Sequence, residues 1–157
     1  MGVQLDGIFN SALENSLFKN KEALQTNYNP DSIPHRDKQI KLIASILAPC
    51  LRGERPSNVF VYGKTGTGKT LSVQYVRDEI VKKAKEGGVE LRIEYLNCKM
   101  RKVSDTEYRI LACLIGKLGG SVPATGLPTD QVYSKFIELI DAKKQLVIII
   151  FDEIDQA

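Results

Sequence analysis

The amino-acid sequence predicts an α/β fold built on a doubly wound parallel sheet. Three segments rich in β-branched and aromatic residues have the pattern of strands, at residues 58–62, 91–96 and 145–151. The last of them is a solid apolar run, as expected of a strand that is buried on both faces of a parallel sheet. Helical patterns lie between these strands, and this alternation is typical of the doubly wound class.

Four helical patterns justify the rest of that prediction, at residues 34–49, 68–85, 105–118 and 130–142. Pro34 suits a first helical turn, and Pro49 is expected to kink or end the first helix because proline has no N–H to donate. Two glycines at positions 87 and 88 are expected to end the second helix. We expect two parts in the chain, an N-terminal lead-in over residues 1–33 and a nucleotide-binding domain over residues 34–157.

Composition and charge fit a globular protein and exclude few partners. Of the 157 residues, 43% are hydrophobic and 26% are charged, and the net charge of +3 permits a nucleic-acid partner without requiring one. The three cysteines are widely spaced, which favours reduced thiols over a zinc site. The sequence shows no signal peptide at its start and no apolar run that could span a bilayer, so we expect a cytoplasmic protein with no membrane partner.

A glycine-rich loop at residues 63–70 carries the clearest chemical signal. It fits the pattern G-x-x-x-x-G-K-[ST], between a predicted strand and a predicted helix, which is the context that a phosphate-binding loop requires. Its glycines allow backbone N–H groups to surround the phosphates of ATP, and Lys69 is predicted to bridge the β- and γ-phosphates in binding and catalysis. The Thr70 hydroxyl is predicted to hold Mg²⁺. The predicted nucleotide contacts are Gly63, Lys64, Thr65, Gly66, Thr67, Gly68, Lys69, Thr70 and Leu71.

Two carboxylates follow the last predicted strand. Open α/β sheets place their ligands at the carboxyl ends of strands, so Asp152 and Glu153 are expected to complete the same site. Asp152 is predicted to hold Mg²⁺, and Glu153 is predicted to act as the catalytic base that polarises the attacking water. Asp155 is expected to be solvated.

Several segments together resemble a known family. They are Ile-Pro-His-Arg-Asp-Lys-Gln-Ile at 33–40, Leu-Arg-Gly-Glu-Arg-Pro-Ser-Asn at 51–58, the loop at 62–70, Tyr-Leu-Asn-Cys at 95–98, Gly-Leu-Pro-Thr at 126–129 and Asp-Glu-Ile-Asp at 152–155. With these segments the chain resembles the archaeal Orc/Cdc-type DNA replication initiators, which are P-loop NTPases of the AAA+ class. The resemblance runs from about residue 17 to the end of the sequence.

The resemblance implies a function that the residues alone do not. It implies an ATPase that binds origin double-stranded DNA and helps to load the replicative helicase, with other initiator subunits as further partners. It also implies that Pro34, His35 and Arg36 border the adenine of ATP, although a polar helix start explains His35 and Arg36 equally well. Lys99, Arg101 and Lys102 lie where an additional helical element of such initiators approaches DNA, although a solvated charged face explains the same cluster.

The sequence also departs from the family pattern. No helical lid or winged helix follows residue 157, so we expect an incomplete AAA+ sheet, truncated just after the Asp152 motif, whose own hydrolytic activity is open. The segment 58–62 would then lack its sheet neighbours, and the fragment would fold poorly or pair that segment with residues 145–151. Two other functions stay open, a helicase motor of the DExD kind and a non-catalytic fragment.

Overall fold

A computed structural model of the chain describes residues 33–99, 107–123 and 126–156. The elements in chain order are α1 (Asp37–Leu47), a 3₁₀ helix (Ala48–Arg52), α2 (Lys69–Glu86), β1 (Leu91–Asn97), α3 (Glu107–Lys117), α4 (Thr129–Asp141), β2 (Leu146–Asp152) and a second 3₁₀ helix (Ile154–Gln156). The four predicted helices and the second and third predicted strands are confirmed. Apart from Ile33, the predicted lead-in at residues 1–33 lies outside the described residues.

Pro49 has the predicted effect on the first helix. The α-helix ends at Leu47 and continues as a 3₁₀ helix that contains Pro49, since this residue cannot donate the next α-helical hydrogen bond. Gly53 then ends the 3₁₀ helix with a left-handed φ of 73°, and its N–H donates to the carbonyl oxygen of Cys50 at 2.9 Å. This stop turns the chain toward the segment that precedes the glycine-rich loop.

The two strands form a parallel pair with a simple register. Leu91 pairs with Leu146 at one end and Asn97 pairs with Asp152 at the other, so both strands finish at the same edge of the sheet. Pairing extends beyond that edge, because the N–H of Cys98 donates to the carbonyl oxygen of Asp152 at 2.9 Å. The backbone at Asp152 is therefore fixed on one side by a neighbouring strand.

Helices cover both faces of this sheet. One core cluster joins α1 to α2 and includes Ile43, Val76 and Ile80. A second joins α3 to α4 and consists of Leu111, Leu114, Ile115, Val132 and Phe136. Ile93 of β1 packs on the first cluster and Ile149 of β2 on the second. Ile149 pairs with Glu94, the residue next to Ile93, so these two isoleucines point to opposite faces of the sheet. The doubly wound arrangement is thereby confirmed.

The prediction of a strand at residues 58–62 is wrong. Residues 58–62 form no ladder within the described part of the chain, and the strand β2 pairs with β1 instead. The alternative that residues 58–62 pair with residues 145–151 is therefore also wrong. The rings of Phe60 and Tyr62, which are 76% and 82% exposed, stack on each other with centroids 6.0 Å apart. The expectation that residues 58–62 lack their sheet neighbours is confirmed within the described residues, and a β-prone segment without a hydrogen-bonding neighbour forms no strand.

Burial of β2 is less complete than its sequence predicts. Its residues are partly buried, and Phe151 is 41% exposed because β1 is its one partner within the described residues. The prediction of a strand buried on both faces is therefore confirmed only in part, since Ile149 packs on the α3–α4 cluster while partly buried and Phe151 is exposed. None of the described helices combines the length and the apolar character that crossing a membrane requires.

The prediction of reduced thiols is confirmed. All three cysteines are free, with Cys50 and Cys98 fully buried and Cys113 half-buried. Burial raises the pKa of the Cys50 and Cys98 thiols, so both stay protonated and act as small apolar side chains.

Candidate functional site

The glycine-rich loop leads directly into the N-terminus of α2. Gly66 and Gly68 adopt left-handed φ angles of 76° and 78°, which a side chain with a Cβ rarely tolerates. The Thr67 hydroxyl donates to the carbonyl oxygen of Lys64 at 2.8 Å and closes the loop on itself. These turns leave the unpaired N–H groups at the start of α2 beside the loop, where the positive end of the helix dipole attracts an anion.

Lys69 lies against the inside of this loop. Its ammonium group donates to the carbonyl oxygens of Gly63 at 2.9 Å and Lys64 at 3.0 Å. One full positive charge thus stands among the backbone groups of a loop that has no carboxylate of its own. An anion with several oxygens is the ligand that such a group of donors recognises.

Thr70 connects the loop helix to the end of the sheet. Its hydroxyl lies 3.1 Å from Oδ1 and 3.0 Å from Oδ2 of Asp152, although 82 positions separate the two residues in sequence. The hydroxyl donates to this carboxylate, and both side chains are partly buried. Two predicted metal ligands therefore meet in space, one from α2 and one from β2.

The Asp152 carboxylate has two further donors. The hydroxyl of Tyr95, on the neighbouring strand, donates to Oδ2 at 2.6 Å, and the backbone N–H of Glu153 donates to Oδ1 at 3.1 Å. Burial, and then the hydrogen bond to Asp152, raise the pKa of Tyr95 to about 12, so this phenol donates at any physiological pH. Tyr95 was not among the site residues predicted from the sequence. Its position two residues before the end of β1 was the available signal, but the direction of its ring is not a sequence property.

Glu153 adopts an unusual backbone conformation at the end of β2. Its φ is 53°, a left-handed value for a residue that is not glycine, and its side chain is exposed. The Glu153 carboxylate lies 3.8 Å from the Lys99 ammonium group. Such a conformation is one that surrounding structure must hold in place, and it is frequent at functional sites. Asp155, in the 3₁₀ helix that follows, is exposed as expected.

The segment at the start of α1 reaches the same loop through one side chain. The Nε atom of Arg36 lies 3.9 Å from the position that a Cβ on Gly68 would occupy. Pro34 and His35 are exposed, and His35 has a left-handed φ of 63°. Their predicted place beside an adenine stays a prediction, as does the role of the half-buried Leu71. Of the basic residues considered for DNA, Lys99 is exposed, and positions 101 and 102 lie outside the described residues.

The residues present fit a magnesium ion that a nucleotide helps to hold. Within residues 33–99, 107–123 and 126–156, no three His, Cys, Asp or Glu side chains form a cluster that could bind a metal by themselves. Mg²⁺ usually takes one or two protein oxygens and completes its octahedron with water and phosphate. Thr70 and Asp152 supply that small donor set beside the phosphate loop.

Fold and site together define the class of protein. A helix-initiating glycine loop with an inward lysine faces a carboxylate at the carboxyl edge of a parallel sheet, which is the arrangement of P-loop nucleotide-binding proteins. Residues 32–157 match the family described as "AAA ATPase domain". The chain belongs to the AAA ATPase domain family.

Curated relatives and solved structures agree with this assignment. The chain is 50% identical over 153 residues to "ORC1-type DNA replication protein 1" of Methanosarcina acetivorans, covering 97% of this chain and 36% of that protein. It is 48% identical over 157 residues to "ORC1-type DNA replication protein" of Thermococcus kodakarensis, covering 97% and 37%. The chain thus spans about a third of the length of these relatives. The similarity to archaeal replication initiators that the sequence indicated is confirmed.

Two solved structures have the same fold. The Aeropyrum pernix ORC1 protein, solved in complex with DNA, is 36% identical with a TM-score of 0.81, over 88% of this chain and 35% of that one. The Aeropyrum pernix ORC2 protein, in ADPNP-ADP complexes, is 22% identical with a TM-score of 0.67, over 88% and 36%. At that identity the second structure supports the fold alone.

Proposed function

We propose that this chain is the nucleotide-binding part of a DNA replication initiator that binds ATP with Mg²⁺ and hydrolyses it slowly. The observation that carries the proposal is the meeting of Thr70 and Asp152, 3.0 Å apart, next to a loop whose lysine points inward. A chance glycine-rich turn would give no reason for a hydroxyl on the following helix to meet a carboxylate on a distant strand. A phosphate site with a metal needs that meeting.

Each residue has a separate role in this proposal. Lys69 binds the β- and γ-phosphates together with the N–H groups of the loop, and Thr70 and Asp152 hold the metal ion. When bound, Mg²⁺ neutralises the charge that develops on the phosphate oxygens. Glu153 accepts a proton from the attacking water, and Arg36 borders the nucleotide from the start of α1. Pro34 and His35 complete the adenine border in the same proposal.

The partners are proposed from the relatives. The named relatives are replication proteins and one solved relative is in complex with DNA, which favours an initiator over the helicase motor that the Asp-Glu-Ile-Asp sequence also allowed. For this protein we propose origin double-stranded DNA, the replicative helicase that it helps to load, and other initiator subunits. DNA-stimulated strand separation by the protein would favour the motor instead.

A binding experiment tests the nucleotide site. ATP is titrated in the presence of MgCl₂ into the wild-type chain, into Lys69→Ala and into Lys82→Ala, which removes an exposed lysine from the same helix. Loss of two charged hydrogen bonds from Lys69, at about 1.5–3 kcal/mol each, predicts an affinity about 10²- to 10⁴-fold weaker, while Lys82→Ala binds like the wild type. No binding by the folded wild type, or equal binding by both variants, would refute the proposal.

Hydrolysis is tested separately, by measuring the release of phosphate. Glu153→Gln is expected to bind ATP as tightly as the wild type and to release no phosphate above the background of Lys69→Ala. If the wild type also releases no phosphate above this background while it binds ATP, the chain is a non-catalytic nucleotide-binding part, and the hydrolytic half of the proposal fails.

A further inference from the structure

The Tyr95 hydroxyl lies where three elements of the site meet. It donates to Asp152 at the end of β2, and the side chains of Asn97, on β1, and Gln74, on α2, lie near enough to the same hydroxyl to lower its pKa. Gln74 stands one helical turn after Thr70. Tyr95 therefore connects the sheet edge to the helix that carries the predicted metal-binding hydroxyl.

The two carboxylate oxygens of Asp152 accept hydrogen bonds from different kinds of donor. Oδ1 accepts from the backbone N–H of Glu153. Because Glu153 is the next residue in the chain, this donor moves together with Asp152. Oδ2 accepts from Tyr95 at 2.6 Å, which is shorter than the hydrogen bonds from Thr70 and from the Glu153 backbone to this carboxylate. The Thr70 hydroxyl reaches both oxygens. Because the terminal torsion of a carboxylate has a broad energy minimum, a donor on a separate and paired strand fixes its orientation best.

We propose that Tyr95 is a positioning residue that holds the Asp152 carboxylate in the orientation required for a metal-bound nucleotide. This inference rests on the proposed function of the site. Tyr95 acts through Asp152 and does not touch the nucleotide. Partners behind a metal-binding group commonly change metal affinity 10- to 100-fold when they are removed.

The test removes one oxygen atom and has a matched control. Tyr95→Phe deletes the hydroxyl at the site, and Tyr108→Phe deletes a hydroxyl that also donates at 2.6 Å, to the carbonyl oxygen of Pro123 on the α3 side of the fold. A fluorescent ATP analogue is bound at increasing Mg²⁺ and, separately, in EDTA. We expect the Mg²⁺ midpoint of Tyr95→Phe to rise about tenfold, its affinity in EDTA to stay unchanged, and Tyr108→Phe to match the wild type in both.

A double-mutant cycle shows whether Tyr95 acts through Asp152. In an Asp152→Asn background, Tyr95→Phe is expected to cause no further shift of the Mg²⁺ midpoint, since both changes remove the oriented carboxylate at position 152. A full additional shift would overturn the proposal, as would a wild-type midpoint in the single variant. A fall of the EDTA affinity in step with the Mg²⁺ effect would assign Tyr95 a merely structural role.

The remaining outcomes separate this inference from the proposed function. If the wild type binds the analogue with no dependence on Mg²⁺, the metal site itself is refuted and the role of Tyr95 with it. If Mg²⁺ matters and Tyr95→Phe is neutral, the role of Tyr95 alone fails. A measurement that needs no variant uses wild-type protein labelled at Cζ of its six tyrosines. Adding Mg²⁺ to the nucleotide-bound protein is expected to shift one NMR signal, and six unmoved signals would overturn the proposal.

Discussion

Gly120 offers a quantitative test of the packing between α3 and α4. A Cβ added there would lie 2.6 Å from Cδ1 of Leu139 and 2.9 Å from Cγ2 of Ile115. Carbon atoms in contact prefer about 3.5–4.0 Å, so both neighbours would have to move. Leu139 can rotate its flexible end away, whereas the β-branched Ile115 is fully buried and has little freedom.

The expected loss follows from those distances. Overpacking of a close-packed core costs about 1–3 kcal/mol. Replacing glycine by alanine stabilises the folded chain by about 0.4–1 kcal/mol, because it lowers the conformational entropy of the unfolded chain. Gly120→Ala is therefore expected to destabilise the folded chain by about 1–2 kcal/mol. Gly116→Ala is the control, because its Cβ would meet nothing within 4 Å and the residue lies inside α3. That variant is expected to stabilise the chain by about 0.5–1 kcal/mol.

Urea denaturation followed by circular dichroism measures both changes. Thermal unfolding of the same proteins should shift the two melting temperatures in opposite directions, by about 2–4 °C per kcal/mol for a chain of this size. The wild type and both variants should share one slope against urea, since the surface exposed on unfolding is the same. A Gly120→Ala variant as stable as Gly116→Ala would show that α3 and α4 do not pack as described.

Two further predictions follow from side chains whose pKa is shifted. The pKa of Tyr95 is raised in the folded chain to about 12, so its contribution to stability is complete below the ordinary tyrosine pKa of about 10 and is lost as the pH rises through 12. Tyr95→Phe should flatten the fall in stability over that range, and an unchanged fall would contradict the partly buried hydrogen bond to Asp152. Among the three thiols, Cys113 should react with a disulfide reagent in the native chain while the fully buried Cys50 and Cys98 react only in denaturant; fast labelling of Cys98, detected by mass spectrometry, would contradict its burial next to the sheet edge.

Local patterns in the sequence were sufficient for the helices and for half of the site. The loop at residues 63–70 depends on glycines at fixed spacing and on the helix that follows, and both are local properties. Thr70 and Asp152 could be joined because parallel strands bring their carboxyl ends to one edge. The nucleotide contacts proposed for the loop, and the role of Glu153, stay predictions that the binding and hydrolysis experiments address.

The rest depends on contacts between distant residues. Residues 58–62 have the composition of a strand, but a strand also requires a partner, and partner choice is not written in the segment itself. Tyr95 was not found because strand periodicity gives the face on which a ring lies and not the group to which its hydroxyl donates. In both cases the sequence pattern does not identify the partner, a neighbouring strand for residues 58–62 and a hydrogen-bond acceptor for Tyr95. Such partners are set by the tertiary structure.

The contacts of Lys69 explain why a charge, and not only a hydrogen-bond donor, is needed at that position. Its ammonium group already donates to two loop carbonyls, so binding a phosphate there exchanges existing hydrogen bonds for new ones. A neutral donor would exchange one ordinary bond for another and gain little, because the net value of such a bond is small. An ammonium group gains from the exchange because a phosphate oxygen carries negative charge and a carbonyl oxygen does not. The proposed binding of a polyphosphate by this loop therefore depends on the charge that Lys69 places among the backbone carbonyl groups of Gly63 and Lys64.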